Sequence, residues 1–225
     1  MYTYNMPLNK SWFILSNKVK KVSGFDDAHV RFAQALPEKF ISAYTQRGDI
    51  VFDPFAGFGT TLFAAARLKR VGVGVEYDEK KFVYIKASLK PPHQIIHGSS
   101  LQLSLMKLPK IDLSFTSPPY MRYFDKQNPL SNYAKGGNYG NYLIGIDKIY
   151  SQMKKLVKKG GYVVIEIANT FDDDHPMTTL AWDVGKIVSK YFYLERDFIY
   201  CVKEGQLSSP AADDNHSYCL LFRNI

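Results

Sequence analysis

Gly48-Asp49-Ile50-Val51-Phe52-Asp53-Pro54-Phe55-Ala56-Gly57-Phe58-Gly59-Thr60-Thr61 is the stretch on which the reading of this chain turns. Residues 49–52 form a short apolar run predicted to be a strand, and the chain passes through a glycine-rich turn directly into a helix predicted over 60–69. Gly57 and Gly59 let the backbone reverse sharply, and the missing side chains allow another group close to the main chain. Strand, tight turn and helix in immediate succession is the building unit of a parallel sheet covered by helices.

Working outward, the same alternation continues in both directions. Residues 37–46 read as a helix with Pro37 in its first turn. Strands are predicted at 71–75, 94–97 and 111–115, with a helix over 79–89 stopped by Pro91 and Pro92. An irregular stretch, 118–141, is rich in Tyr, Gly and Asn. A helix over 142–158 follows, with Gly160 and Gly161 as its stop signal, then a strand at 162–167 that carries one acid, Glu166. A helix over 180–190 and strands at 192–202 and 217–222 close the pattern. The expectation is one domain over 1–225 with a seven-stranded, mostly parallel Rossmann-like sheet, helices on both faces and one antiparallel strand, the last two strands pairing as a hairpin. Residues 1–28 read as a short N-terminal extension and 118–141 as a substrate loop.

Composition narrows the function classes. The chain has 225 residues, 46% of them hydrophobic and 22% charged, which suits a globular domain and excludes a disordered one. No apolar stretch is long enough to span a bilayer and no signal peptide is apparent, so no membrane partner is expected. The two cysteines, Cys201 and Cys219, fit a reducing cytoplasm, and none of the five histidines shows metal-ligand spacing. A net charge of +8 and sixteen tyrosines suit a polyanion with stackable bases.

Two segments carry chemistry. Glu76 stands at the end of the strand after the glycine turn, about twenty residues on, where an acid can accept the hydroxyls of a ribose. A dinucleotide and the adenosine of S-adenosylmethionine both satisfy that pattern. A pyrophosphate wants a third glycine, and Gly59 is followed instead by Thr60-Thr61-Leu62. Ser117-Pro118-Pro119-Tyr120 lies at the carboxyl end of the fourth strand of the series, on the sheet edge where ligands bind. Consecutive prolines keep the turn extended, so that a serine hydroxyl and neighbouring carbonyls project as acceptors. With an aromatic ring next in line, the segment suits an amino group on a planar ring.

Asp53-Pro54-Phe55-Ala56-Gly57-Phe58-Gly59-Thr60-Thr61, Glu76 and Thr116-Ser117-Pro118-Pro119-Tyr120 together resemble the amino-methyltransferase family of DNA modification enzymes. Leu36 to Ile41, Lys159 to Val164 and His216 to Arg223 extend the resemblance over residues 29–225. It implies S-adenosylmethionine as cofactor, with Gly57 and Gly59 admitting its methionine part, Phe55, Ala56, Thr60 and Thr61 also in its binding site, and Asp53 orienting its ammonium. Glu76 would hold the ribose and Tyr77 would lie by the adenine. The family places an acid after the third strand, where this chain has His97-Gly98-Ser99-Ser100, and Ser99 takes that place. The implied reaction is methyl transfer to the exocyclic amine of a base in DNA, with Ser117, Pro118, Pro119 and Tyr120 catalytic; Arg122 and Tyr123, from the loop that follows, are the candidates for substrate contact. Serine at the head of the motif leans to cytosine N4 over adenine N6. An RNA substrate, or an inactive nucleic-acid-binding module, stays open. A homodimer or a separate subunit is a further expectation, since no target-recognition segment is evident.

Other features read as bland. The loop tyrosines Tyr133, Tyr139 and Tyr142 suit a lid or a plain surface loop equally. The acids of 171–175 read as solvated, and Lys154, Lys155, Lys158 and Lys159 as the wet face of a helix.

Overall fold

Short apolar runs with no polar break, such as Val73 and Val75 or Val163 to Ile165, are what a strand needs when both of its faces are covered. In the computed structural model, which describes residues 8–16, 19, 22, 24, 25, 31–131, 134, 135, 137–172, 174–202 and 216–225, such runs form the middle of one sheet. Its eight strands are β1 (Trp12–Leu15), β2 (Ile50–Asp53), β3 (Val71–Glu76), β4 (Gln94–His97), β5 (Ile111–Thr116), β6 (Val157–Ile167), β7 (Tyr193–Val202) and β8 (His216–Arg223). They lie in the order β1-β7-β8-β6-β5-β2-β3-β4. β2 pairs parallel with β3 and β5, β3 with β4, β5 with β6, and β1 with β7. Only β8 is antiparallel to its neighbours, β6 and β7.

The expected mostly parallel, Rossmann-like sheet with one antiparallel strand is therefore present, with eight strands rather than seven. The addition is β1, in the segment read as an extension. Its side chains alternate, Phe13 buried and Trp12 and Ile14 exposed, as an edge strand requires. Trp12 pairs opposite Ile199, and Arg196 Nη1 donates to Leu8 O at 2.6 Å across 188 residues of chain.

Among the described residues five helices cover the sheet: α1 (Ala35–Tyr44), α2 (Thr60–Arg67), α3 (Glu79–Ser88), α4 (Tyr139–Leu156) and α5 (Leu180–Val188). Strand alternation sorts the core. Phe52 points with Ile146, Ile149 and Val184 of α4 and α5. Its neighbour Val51 points with Phe40 of α1 and Ala64 of α2. Truncating a side chain as fully buried as Phe40 typically costs about 3–5 kcal/mol.

α4 starts three residues before its predicted position because Asn138 caps it, its side chain accepting from Asn141 N at 2.9 Å. Tyr139 and Tyr142, read as loop residues, consequently lie in the buried face of that helix. Tyr133 lies outside the described residues. At the other end α4 stops at Leu156, so Lys158 and Lys159 open β6 instead of extending a helix face. Lys158 pairs with Asp112 at 2.6 Å. Among the described residues no helix is long and apolar enough to cross a membrane.

Candidate active site

The carboxyl ends of β2, β3, β4 and β5 meet at one edge of the sheet, and a cavity of about 250 Å³ opens there. Pro54, Phe55, Gly57, Glu76, Tyr77 and Ser99 line one end of it, and Ser117 and Pro119 the other. Two distant motifs of the sequence thus share one wall, because β2 sits between β3 and β5.

The glycine turn is held by its own amides. Gly57 and Gly59 have φ of +54° and +77°, the left-handed region that other residues avoid. A Cβ on Gly59 would also meet the Phe63 ring at 3.0 Å. Phe55 N donates to Asp53 Oδ1 at 2.9 Å, Ala56 N to Val75 O at 2.9 Å, Gly57 N to Glu76 Oε2 at 2.6 Å and Gly59 N to Ala56 O at 2.7 Å. Four amides of the turn are therefore already satisfied within the protein, which leaves the turn a poor nest for a pyrophosphate.

Glu76 is 9% exposed, and its second oxygen accepts from Asp78 N at 2.8 Å. Burial raises its proton affinity, while these amide bonds work the other way. Each carboxylate oxygen spends one lone pair on an amide and retains another for a hydroxyl donor. Tyr77 is half exposed beside it, and its carbonyl accepts from His97 Nε2 at 3.0 Å. Ser99 Oγ accepts from Leu101 N at 3.3 Å and caps a short 3-10 turn, while the Ser100 hydroxyl bonds the Pro54 carbonyl.

Asp53, Thr60, Thr61, Ala56 and Gly59 stand behind the lining rather than in it. Asp53 is buried; its Oδ1 also accepts from Thr116 Oγ1 at 2.6 Å, tying β2 to β5. Burial pushes its pKa up to about 6, opposed by those hydrogen bonds. The Thr61 hydroxyl turns inward and donates to Phe115 O at 3.3 Å, and Thr60 opens α2.

At the other end, Tyr120 is 37% exposed, yet its hydroxyl is buried and accepts from Ala168 N at 2.7 Å. Burial first, then the nearby Glu166, raises the phenol pKa well above 10, so the ring remains neutral. Anchored by its tip to the end of β6, the ring leaves part of its surface to solvent. Tyr123 and Arg122, expected on the substrate, have partners of their own. Tyr123 Oη bonds Thr179 Oγ1 at 2.7 Å and its ring meets Tyr139 edge-on at 4.6 Å. Tyr139 Oη donates to Asp183 Oδ2 at 2.8 Å, so the loop is pinned to the start of α5. Arg122 pairs with Asp125 at 3.4 Å and is half exposed.

Sequence reasoning did not single out Asp78, Lys81, Leu130 and Ile149, which also line the cavity. Asp78 had a readable signal, as the acid ahead of a helix: its side chain caps α3 by accepting from Lys81 N at 2.9 Å. Leu130 and Ile149 arrive from beyond the loop and had none.

A sheet of this order, with a cavity at its carboxyl edge, is a Rossmann-like fold shared with solved methyltransferases. TrmN from Thermus thermophilus superposes with a TM-score of 0.58 at 16% identity, covering 85% of this chain and 49% of that one. A TehB-like SAM-dependent methyltransferase from Corynebacterium glutamicum gives 0.56 at 15% identity, covering 83% and 86%. In sequence, residues 3–87 match the N6/N4 DNA methylase family, which bears out the resemblance to amino-methyltransferases of DNA modification over the glycine turn and Glu76. The Type II methyltransferase M.BglI of Bacillus subtilis is 39% identical over 79 residues, 35% of this chain and 20% of that protein. M.MjaI of Methanocaldococcus jannaschii is 42% identical over 60 residues, 27% and 17% of the two chains. The aligned stretch spans a fifth or less of the length of either relative.

Proposed function

We propose that this protein transfers a methyl group from S-adenosylmethionine to the exocyclic amino group of a base in DNA, cytosine N4 in preference to adenine N6. The observation that carries the proposal is the sharing of one cavity by Glu76 and Gly57 at one end and Ser117 and Pro119 at the other, with the Tyr120 ring anchored just beyond. The match to N6/N4 DNA methylases and to two Type II methyltransferases supports DNA as the substrate.

The residues present fit the cofactor. Glu76 keeps acceptor capacity for ribose hydroxyls, and Tyr77 offers a half-exposed ring for the adenine, beside Ser99. Gly57 borders the cavity with only the Phe55 carbonyl, at 3.9 Å, near the place a Cβ would take, so the methionine part can lie close to the main chain. Amides spent within the turn favour this ligand over a pyrophosphate. Asp53 acts from behind by holding the turn.

S-adenosylmethionine, when bound, supplies a methyl on an electron-poor sulfonium. The chain's task is to present a weak nucleophile to it. Ser117 Oγ and the Pro118 carbonyl accept hydrogen bonds from the base amine, which draws its lone pair out of conjugation and aims it along the cavity. Tyr120 stacks on the base, worth roughly 1–3 kcal/mol. Alignment in a closed site then does most of the work. A base in duplex DNA has to be flipped out to reach this edge. Arg122 is the exposed cation nearest in sequence and is assigned to the flanking phosphate.

The test is methyl transfer from labelled S-adenosylmethionine to unmethylated DNA and to RNA, followed by nucleoside mass analysis. N4-methylcytosine in DNA is the expected product. N6-methyladenine moves the base, label in RNA alone moves the substrate, and cofactor binding with no transfer overturns the assignment. RNA is the second reading, because an acceptor turn followed by an aromatic ring can take the exocyclic amine of a base from either polymer.

A further inference from the structure

Glu166 interrupts the apolar run that Tyr162 to Ile167 forms in β6, is 8% exposed, and serves no step described above. The parallel register sets Thr116 opposite Ile165, so the next residue on each strand, Ser117 and Glu166, come side by side at the active edge. From the other flank, β8 places Cys219 opposite Glu166, with Ser217 closer to the cavity. Ser117 and Ser217 are near enough to favour its charge, and the Ser217 hydroxyl is buried with no hydrogen-bond partner of its own. Tyr120, Tyr200 and Cys219 all feel that charge, and Tyr200 Oη is buried without a hydrogen-bond partner. Among the described residues, the groups around the acid are thus hydroxyls and a thiol. A buried carboxylate compensated only in this way is costly, and such groups concentrate where protons are moved.

We infer that Glu166 is a positioning residue that acts through Ser117, fixing the serine as an acceptor for the substrate amine and taking the proton the reaction releases. The inference rests on the methyl-transfer reading above. A serine hydroxyl can donate either into the cavity or away from it, and only the second leaves its lone pairs for an N–H of the base. Glu166 on the far side draws the hydroxyl hydrogen that way. As the amine nitrogen bonds to the methyl carbon, the carbon–sulfur bond breaks and its electron pair stays on sulfur. The nitrogen, now positively charged, gives one proton to Ser117 Oγ while the serine's own proton passes to the Glu166 carboxylate. Water takes it from there once the product has left. Burial raises the proton affinity of Glu166 above that of an ordinary carboxylate, which makes it the better acceptor.

The experiment compares the whole chain with E166Q, S117A and the double variant, using labelled S-adenosylmethionine and unmethylated DNA. Glutamine keeps the volume and removes a buried acid, so E166Q is expected to melt at or above the wild-type temperature. Its kcat should fall about a hundredfold, within the range of proton-transfer groups. KM for DNA and the Kd for cofactor should stay within about threefold, and the double variant should be no slower than S117A alone. An E166Q kcat within about threefold of wild type overturns the inference. So does a kcat loss matched by loss of cofactor binding and melting temperature, or a double variant showing the product of the single losses. A wild-type protein that methylates neither DNA nor RNA overturns the reading beneath it as well, whereas an active wild type with an equally active E166Q overturns this inference alone.

Discussion

At the Glu76 end of the cavity the wall is shaped by backbone amides, whereas at the Tyr120 end it hangs on side-chain hydroxyls and an acid. Gly57 N and Asp78 N both close on one carboxylate, over 19 and 2 residues of chain. Tyr120 is fixed to Ala168 over 48 residues and Tyr139 to Asp183 over 44. An amide-built wall needs glycines and one acid at a set spacing, and many side chains can vary around it. A side-chain-built wall needs particular pairs of residues from different elements. The family match covers residues 3–87, which include the amide-built end and stop before Ser117.

If the two ends divide the work as cofactor site and base site, substitutions should separate binding from turnover. The largest effect is expected for Y120A, which loses both the stacking surface and the bond to Ala168. Turnover should drop about a hundredfold or more, roughly 3 kcal/mol, with cofactor binding retained in a titration. Unchanged turnover would break the assignment of the Tyr120 end to the base.

D53N tests the amide-held end through stability. Asp53 has its pKa raised from 3.8 to about 6, so its folded form holds a proton more tightly than its unfolded form. Stability from that difference is fully present below about pH 4 and is lost as pH rises through 6. Asparagine carries no such penalty. D53N should therefore be more stable at pH 8 by roughly 2–3 kcal/mol, the gap closing near pH 4 in denaturant titrations. A variant less stable than the wild type at pH 8 would show instead that the charge itself holds the turn.

A smaller effect is expected for E76Q, which leaves one oxygen to serve two amides. Loss of about 1–2 kcal/mol of stability and about tenfold in cofactor affinity should accompany an unchanged kcat at saturating cofactor. A fall in kcat alone would dissolve the contrast between the ends. R122A should do least. With its guanidinium already on Asp125, DNA binding should weaken by only a few fold, and the salt dependence should fall by about one phosphate contact.

Much of the fold was readable because its signals are local. The glycine turn, the apolar runs of β2, β3 and β5 and the prolines after α3 each declare an element without reference to anything distant. β1 declared nothing, since four residues without bounding turn signals become a strand only when β7 lies alongside. Tyr139 and Tyr142 were misread because tyrosine looks like a surface residue until the Asn138 cap puts both on the inner face of α4. In the site, Glu76 and Gly57 followed from spacing alone. Thr61 could not be placed that way, because whether a hydroxyl turns to the cavity or to Phe115 O depends on a strand 54 residues on. Glu166 was visible as an acid out of place, but its neighbour Ser117 emerges only from the register of β5 and β6.

The pairing of β1 with β7 also sets a timetable for synthesis. Leu8 and Arg196 are joined across 188 residues, which a ribosome takes on the order of 10–40 s to add. Throughout that interval the apolar side chains of Trp12–Leu15 emerge before the strand that will receive them has been made. The nascent chain therefore carries an unpaired segment past the assembly of β2 to β5, and a chaperone that shields it until release would serve this fold better than one acting on the finished sheet.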